Sequence, residues 1–302
     1  MDKSLKNKKI LVTGGKGYLG SFLLKSLAEK GADVFDISID AEKSERSFPI
    51  DITDFDALNA VIKKIQPDIV FHLAASISRN RDFNIFENML KVNVTGTFNL
   101  LKSLLNTECK QFIFTSSSEI YGNNASPFHE DLLPMPVSPY SLTKVMAENF
   151  IKTFSQQYHK NYTILRLFNF FGENMSDDFF ISQMVNSLRK GQDFLMTKGE
   201  QTRDFLYVKD IVSALTLVAE STASHNETFN VCSGVGSSLA SLASFVNKEM
   251  GATASVIPSA IPYRENEVWE MIGSSDKIKE KLGFIPKYTL NEGLERLINS
   301  KL

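Results

Sequence analysis

Short apolar runs alternate with amphipathic stretches through the first two thirds of the chain. Lys9-Ile10-Leu11-Val12-Thr13 predicts a buried strand, and Tyr18 to Lys30 predicts a helix with Leu19, Phe22, Leu23 and Leu27 at helical spacing, closed by Gly31. The alternation continues with a strand near Val34 to Ser38, a helix from Phe55 to Ile65, a strand at Ile69-Val70-Phe71 and a long helix from Ile85 to Leu105. A strand at Phe112-Ile113-Phe114, a helix from Pro139 to Tyr158 and a strand from Thr163 to Leu167 follow. Such a pattern predicts an α/β fold: a doubly wound parallel sheet with right-handed crossovers, its ligands at the carboxyl ends of the strands. After Asn169 the pattern is irregular, with a helix over Phe179 to Arg189, short strands near Phe194 and Phe229, helices over Val208 to Glu220 and Leu239 to Met250, and Pro258, Pro262 and Pro286 punctuating the tail. We therefore expect a dinucleotide-binding sheet domain over residues 1–169 that also carries the catalytic residues. A smaller C-terminal α/β substrate-binding region is expected over 170–302, with some segments returning to the sheet.

Composition narrows the function classes. With 33 Lys+Arg against 35 Asp+Glu in 302 residues, the chain has no global attraction for polyanions, so nucleic acid is not an expected partner and phosphate must be held locally. Cys109 and Cys232 lie far apart without a Cys/His cluster, which argues against a disulfide framework and against a metal site and fits a reducing cytoplasm. Only Ile10-Leu11-Val12 follow the basic start before the first glycines, too short for a signal-peptide core. No apolar stretch approaches the roughly 20 residues that span a bilayer.

Thr13-Gly14-Gly15-Lys16-Gly17-Tyr18-Leu19-Gly20 falls between the first strand and the first helix. There, glycines let backbone amides and a helix N-terminus approach a pyrophosphate. The competing reading is a purely structural turn, since turns use glycine for positive φ, but the strand-helix context favours the nucleotide. It is not a P-loop, because no Gly-Lys-Ser/Thr closes it. The spacing of Gly14, Gly17 and Gly20 resembles the extended short-chain dehydrogenase/reductase family, in its nucleotide-sugar branch. Asp51-Ile52 is similar to its adenine-contacting pair, His72-Leu73-Ala74-Ala75 to the loop that passes the cofactor, and Asn93-Val94-Thr95-Gly96-Thr97 to its central-helix signature. Thr115 to Gly122 and Tyr140-Ser141-Leu142-Thr143-Lys144 match its catalytic segments. Arg203-Asp204-Phe205 and Leu282 to Pro286 fit its tail, so the resemblance covers essentially the whole chain. It implies a Rossmann fold, NAD or NADP as cofactor, held by Gly14, Lys16, Gly17, Tyr18, Leu19, Gly20, Asp51, Ile52, Leu73, Ala74, Ala75 and Asn93, and a nucleotide-diphosphate sugar as substrate.

Tyr140 and Lys144 sit four apart and share one helical face. A free phenol has a pKa near ~10, and an adjacent ammonium favours the phenolate, so we expect Lys144 to make Tyr140 a usable base. The resemblance implies that Tyr140 exchanges a proton with the sugar while Lys144 also bonds the nicotinamide ribose, and that Ser117 holds the reacting oxygen. Glu119, in Ser-Ser-Ser-Glu-Ile-Tyr-Gly, resembles a form found in dehydratases and decarboxylases, where it removes a proton alpha to a 4-keto group. The acid of many 4,6-dehydratases is Ser118 here, and a solvated loop carboxylate is the alternative for Glu119.

The carboxylate expected at the end of the second strand is replaced, eighteen residues after Gly20, by Ser38, with Asp36 and Asp40 on either side at strand period. Lys16 tilts the electrostatics toward NADP, whereas Asp36 and Asp40 tilt it toward NAD. Asn169, Arg203 and Arg264 match positions that hold the diphosphate, and guanidinium forks suit phosphate oxygens; Glu267 fits a ribose acceptor. The resemblance implies hydride transfer at a hexose C4, as a 4-epimerase or 4,6-dehydratase. An NADPH-dependent 4-keto-sugar reductase is the alternative, and a catalytically idle dinucleotide sensor the alternative of another class. The resemblance also implies a homodimer built from residues 85–105 and 139–158 as a four-helix bundle.

Overall fold

The computed structural model describes residues 4–78, 82–251, 253–264 and 267–300. Its strands begin with β1 (Lys9–Thr13), β2 (Asp33–Ile37), β3 (Ser47–Phe48), β4 (Ile69–His72), β5 (Gln111–Ser117) and β6 (Tyr162–Leu167). They continue with β7 (Asn169–Phe171), β8 (Phe194–Leu195), β9 (Thr202–Tyr207), β10 (Glu227–Val231), β11 (Gly236–Ser238), β12 (Val256–Ile257) and β13 (Glu270–Met271). The apolar runs become strands buried on both faces, because all pairings in the main sheet are parallel and its order is β3-β2-β1-β4-β5-β6-β10. β10 adds to the β6 edge in the register Phe229↔Leu165, so a segment from the C-terminal part of the chain completes the sheet.

Helices α1 (Tyr18–Glu29), α2 (Phe55–Ile65), α3 (Phe86–Met89), α4 (Gly96–Ser103), α5 (Pro139–Tyr158), α6 (Phe180–Arg189), α7 (Val208–Ala219), α8 (Leu239–Met250), α9 (Asp276–Leu282) and α10 (Leu290–Asn299) cover the sheets. Leu23 and Leu27 of α1 pack with Leu215 and Val218 of α7 on one face of the main sheet, and Leu58, Ile62, Leu100 and Ile151 of α2, α4 and α5 on the other. Local chemistry starts these helices where the sequence says. Asp54 caps α2 by accepting from the Ala57 amide, and Ser138 with Ser141 forms a capping box ahead of α5, with Pro139 in its first turn.

The single helix expected over Ile85 to Leu105 is instead broken. A 3₁₀ turn at Phe83–Ile85 leads into α3, a π-helical stretch at Leu90–Thr95 and then α4. Thr97 donates its hydroxyl to the Asn93 carbonyl at 2.6 Å, and the Asn93 side chain is drawn to Ser76 and Thr143, so side-chain bonds accompany the widened turn. Hydrophobic spacing does not reveal an extra residue in a turn. Also unforeseen is the second sheet, in which β9 lies between β11 and β13 and pairs in addition with β7; it packs with α6, α8 and α10. Among the described residues no helix is long and apolar enough to cross a membrane, and no group of three or more His, Cys, Asp or Glu could hold a metal ion.

Two glycines of the β1–α1 turn are required by geometry. Gly14 has φ +76°, and a side chain there would meet the Ala74 amide at 2.8 Å; at Gly20 a Cβ would lie 2.1 Å from the Gly14 carbonyl oxygen. The turn is thus pressed between the β4 loop and its own helix. Gly20→Ala should cost about 1–3 kcal/mol in a urea melt and weaken dinucleotide binding in the same protein, as an overpacked site displaces the loop. Unchanged stability together with unchanged binding would show the turn to be looser than this.

Candidate active site

β1 and β4 are neighbours from which the chain leaves toward opposite sides of the sheet, and a cavity of about 840 Å³ opens there, at the carboxyl ends of the strands. The glycine turn, residues 73–78, Ser117 to Glu119, Tyr140 and Lys144 form one wall. Asn169 to Phe171, Phe194 to Met196, Arg203 and parts of 261–271 form the other. Gly17 begins α1 without any side-chain cap, so the first-turn amides are left to what enters the cavity. A glycine cradle, an uncapped helix N-terminus and this volume suit a dinucleotide.

At the adenosine end Lys16, Ser38, Asp40, Asp51 and Ile52 line the cavity, but Asp36 does not. Its Oδ1 accepts from the Gly15 amide at 2.9 Å and the Ser38 hydroxyl at 2.7 Å, and its Oδ2 from the Ser47 hydroxyl at 3.3 Å, with 4% of the residue exposed. The expected ribose acceptor is therefore a brace beneath the glycine turn. Ser38 is engaged as well, taking the Lys16 amide at 3.0 Å. Asn93 is likewise displaced from its expected cofactor contact: it is buried, accepts from the Ser76 amide at 2.7 Å and donates to Thr143 Oγ1 at 3.0 Å, so it ties the β4 loop to α5 from behind.

Tyr140, Lys144 and Ser117 come together at the floor. Lys144 is buried, donates to the Thr115 carbonyl at 2.8 Å, and its Nζ lies 4.6 Å from the Phe114 ring centroid and 5.7 Å from that of Tyr140. Burial lowers its pKa to about 7, opposed by the charge of Glu148. Tyr140 departs from expectation. Burial, then the charge of Glu119, raises its pKa above the ordinary value, and the hydrogen bond with Ser117 only partly offsets this. The neighbouring lysine therefore does not bring the phenolate within reach, because burial outweighs what the surrounding groups return to Tyr140. Tyr140 rests as a phenol.

His72, read from the sequence only as part of a loop, is a buried tie under the site. Thr97 donates to the Asn93 carbonyl, so its oxygen accepts from His72 Nε2 at 2.9 Å, and Thr13 then donates to Nδ1 at 2.7 Å. Burial, then the charge of Lys144, lowers the His72 pKa to about 3.

On the substrate side the expected residues gather, though several are already engaged. Ser118 is buried and donates to Met271 Sδ at 3.2 Å, and Asn169 points its amide at the same sulfur at 3.7 Å. Arg203 holds Glu267 at 2.6 Å and donates to the carbonyls of Thr202 and Trp269, so this pair is a strut before it is a ligand clamp. Arg264 is exposed at the rim and its charge acts on Arg203, whose pKa is lowered by burial. Met271 and the place of Phe194 to Met196 in the cavity wall were missed: a strand near Phe194 was expected, but β8 and β13 are two-residue strands whose position is set by distant partners.

A family model described as the NAD dependent epimerase/dehydratase family matches residues 10–232. The chain belongs to the NAD-dependent epimerase/dehydratase family. Members of this family are enzymes of the extended short-chain dehydrogenase/reductase type, as the motifs implied. A putative UDP-glucose 4-epimerase of Methanocaldococcus jannaschii is 32% identical across 96% of this chain and 97% of its own length. The structure of a UDP-glucose 4-epimerase from Thermotoga maritima with UDP-glucose matches with a TM-score of 0.88 at 30% identity, covering 96% of this chain and 97% of that one. A UDP-glucuronic acid 4-epimerase from Bacillus cereus, solved with UDP-glucuronic acid and NAD, gives a TM-score of 0.87 at 26% identity, over 96% and 98%.

The His72 tie has a measurable sign. Between pH 6.5, the ordinary histidine value, and about 3, the unfolded chain binds a proton that the folded one refuses, so this group's contribution is present above 6.5 and is lost as pH falls toward 3. Denaturant melts between pH 4 and 7 should show stability falling with acid more steeply in the wild type than in His72→Gln. Parallel slopes would mean that His72 is not held neutral.

Proposed function

We propose that this chain is an NAD-dependent 4-epimerase of a nucleotide-diphosphate sugar. The observation that carries the reading is the carboxylate inventory of the cavity. Asp40 and Asp51 lie at the adenosine end, Glu267 is paired with Arg203, and Glu119 is the carboxylate beside Tyr140 among the described lining residues. Elimination of water across C5 and C6 calls for an acid and a base, and the acid's place is held by Ser118, whose hydroxyl donates to a thioether. Epimerisation needs one proton-exchanging group at O4, which Tyr140 provides. The similarity to 4-epimerases at 30–32% identity supports the same choice.

When bound, NAD supplies the hydride acceptor and donor at C4. The protein handles the proton: Tyr140 takes it from the C4 hydroxyl and gives it back to the 4-keto oxygen, with Ser117 steadying that oxygen. As a resting phenol Tyr140 is poised for the returning half. Its use as a base requires positive charge beside the ring, which Lys144 carries when protonated. Arg264 at the rim, with Arg203 and Asn169, is placed to hold the diphosphate, and the apolar strip of Phe194 and Met196 suits a flat base. With Asp36 withdrawn beneath the turn, Asp40 and Asp51 are the carboxylates that line the adenosine end among the described residues, and they favour NAD. We include a homodimer in the reading: Phe98 and Phe150, 45% and 40% exposed and edge-to-face at 6.1 Å, present an apolar face on α4 and α5.

Tyr140→Phe should lower the rate of interconversion, followed by NMR on UDP-hexoses, by about 10²–10⁴-fold while NAD still copurifies. A rate within a few fold of wild type would remove Tyr140 from the chemistry. Glu119→Gln tests the competing reaction. We expect 4-epimer products and a rate within about tenfold of wild type; a 4-keto-6-deoxy product that vanishes in the variant would make the enzyme a dehydratase instead.

A further inference from the structure

Tyr140, Lys144 and Glu148 follow one another at four-residue intervals along α5 and form one stripe on its inner face. Lys144 and Glu148 retain 3% and 2% of their surface. Arg166 of β6 grips the Glu148 carboxylate with a fork, Nε to Oε1 at 3.1 Å and Nη2 to Oε2 at 2.9 Å. Its remaining nitrogen donates to Tyr121 Oη at 2.8 Å and to the Glu130 carbonyl at 2.9 Å, and Tyr121 passes its own hydroxyl on to Asn230 at 2.7 Å. An ion pair sealed this deeply adds little net stability over apolar packing of the same shape, so its location is the more informative feature. Long side chains on a helix lean toward its N-terminus, so the Glu148 carboxylate is directed toward the turn that carries Lys144, on which its charge acts.

We infer that Glu148 is a positioning residue for the reaction: held by Arg166, its carboxylate keeps Lys144 an ammonium, bonded to the Thr115 carbonyl and aligned beside the Tyr140 ring. The other ionisable groups around Lys144 do not supply that charge. Tyr140 on the same helix is a phenol, and His72, facing from β4, is neutral. Glu119, in the turn after β5, is exposed, and its charge acts on Tyr140 rather than on Lys144. Arg166 from β6 and the half-exposed Lys152 are cations already engaged with Glu148. Burial pushes Lys144 toward the amine, and Glu148 is the charge that opposes it.

The inference rests on the proposed pairing of Tyr140 with Lys144, and the two are separable by experiment. In NAD-loaded protein carrying lysine labelled with ¹³C at Cε, the Lys144 resonance, assigned by its loss in Lys144→Met, is titrated by NMR, and the pH profile of the epimerase rate is recorded in parallel. Glu148→Gln should lower the Lys144 midpoint by roughly one pH unit or more, about a tenfold loss of proton affinity, and move the alkaline limb of the rate profile with it. Glu148→Asp, which keeps the charge, should restore both. The double variant Glu148→Met with Arg166→Met leaves no unpaired buried charge, so it decides the matter if Glu148→Gln does not fold. A Lys144 midpoint equal to wild type in whichever charge-deleting variant folds would overturn the inference. A shifted midpoint in an enzyme whose wild type turns over no nucleotide sugar would leave Glu148 in this role and sink the proposed function.

Discussion

The site depends on one close approach, where the turn after β1 meets the turn after β4. Two parallel neighbours whose connections depart to opposite sides leave a crevice that no side chain fills. That crevice exists only because Gly14 lets the backbone pass within contact of Ala74 and Gly20 lets the helix start against the Gly14 carbonyl. Asp36 secures the arrangement from below by receiving the Gly15 amide. The residue type that usually reads a ribose is here consumed in holding the glycine turn.

Beneath this seam the structure buries ionisable groups and pays for it in altered acidity. Burial lowers the pKa of His72 and of Lys144 and raises that of Tyr140; in each case loss of water is the first cause. The consequence is a pair whose protonation is set by the few charges that share its low-dielectric surroundings. Thr13, Thr97 and Asn93 fix the tautomer of His72, and the widened turn in the central helix is part of the same tie. Rigidity and proton chemistry therefore have a common origin.

The opposite wall of the cavity is of a different kind. It is assembled from β7, β8, β9, β13 and the rim at Arg264, elements brought together from widely separated parts of the chain, and its polar groups are cross-linked before any ligand arrives. Ser118 and Asn169 converge on the Met271 sulfur, and Arg203 on Glu267. A ligand entering here must compete for these groups, which places recognition in the exchange of one set of hydrogen bonds for another.

Taken alone, the amino-acid order determined whatever local physics governs. The strands at Lys9 and Ile69, the helix from Pro139 with its cap, the glycine turn and the shared face of Tyr140 and Lys144 all follow from apolar period, capping chemistry and positive φ. The four-residue step that joins Tyr140 to Lys144 also reaches Glu148, so that stripe was legible too, although its meaning was not. Only the tertiary structure decided which carboxylates line the cavity, that the helix before Ser103 is interrupted, and that burial raises the Tyr140 pKa. Those outcomes turn on where water is excluded and on which distant backbone amide claims a side chain first. Neither quantity is written in the spacing of residues along a chain.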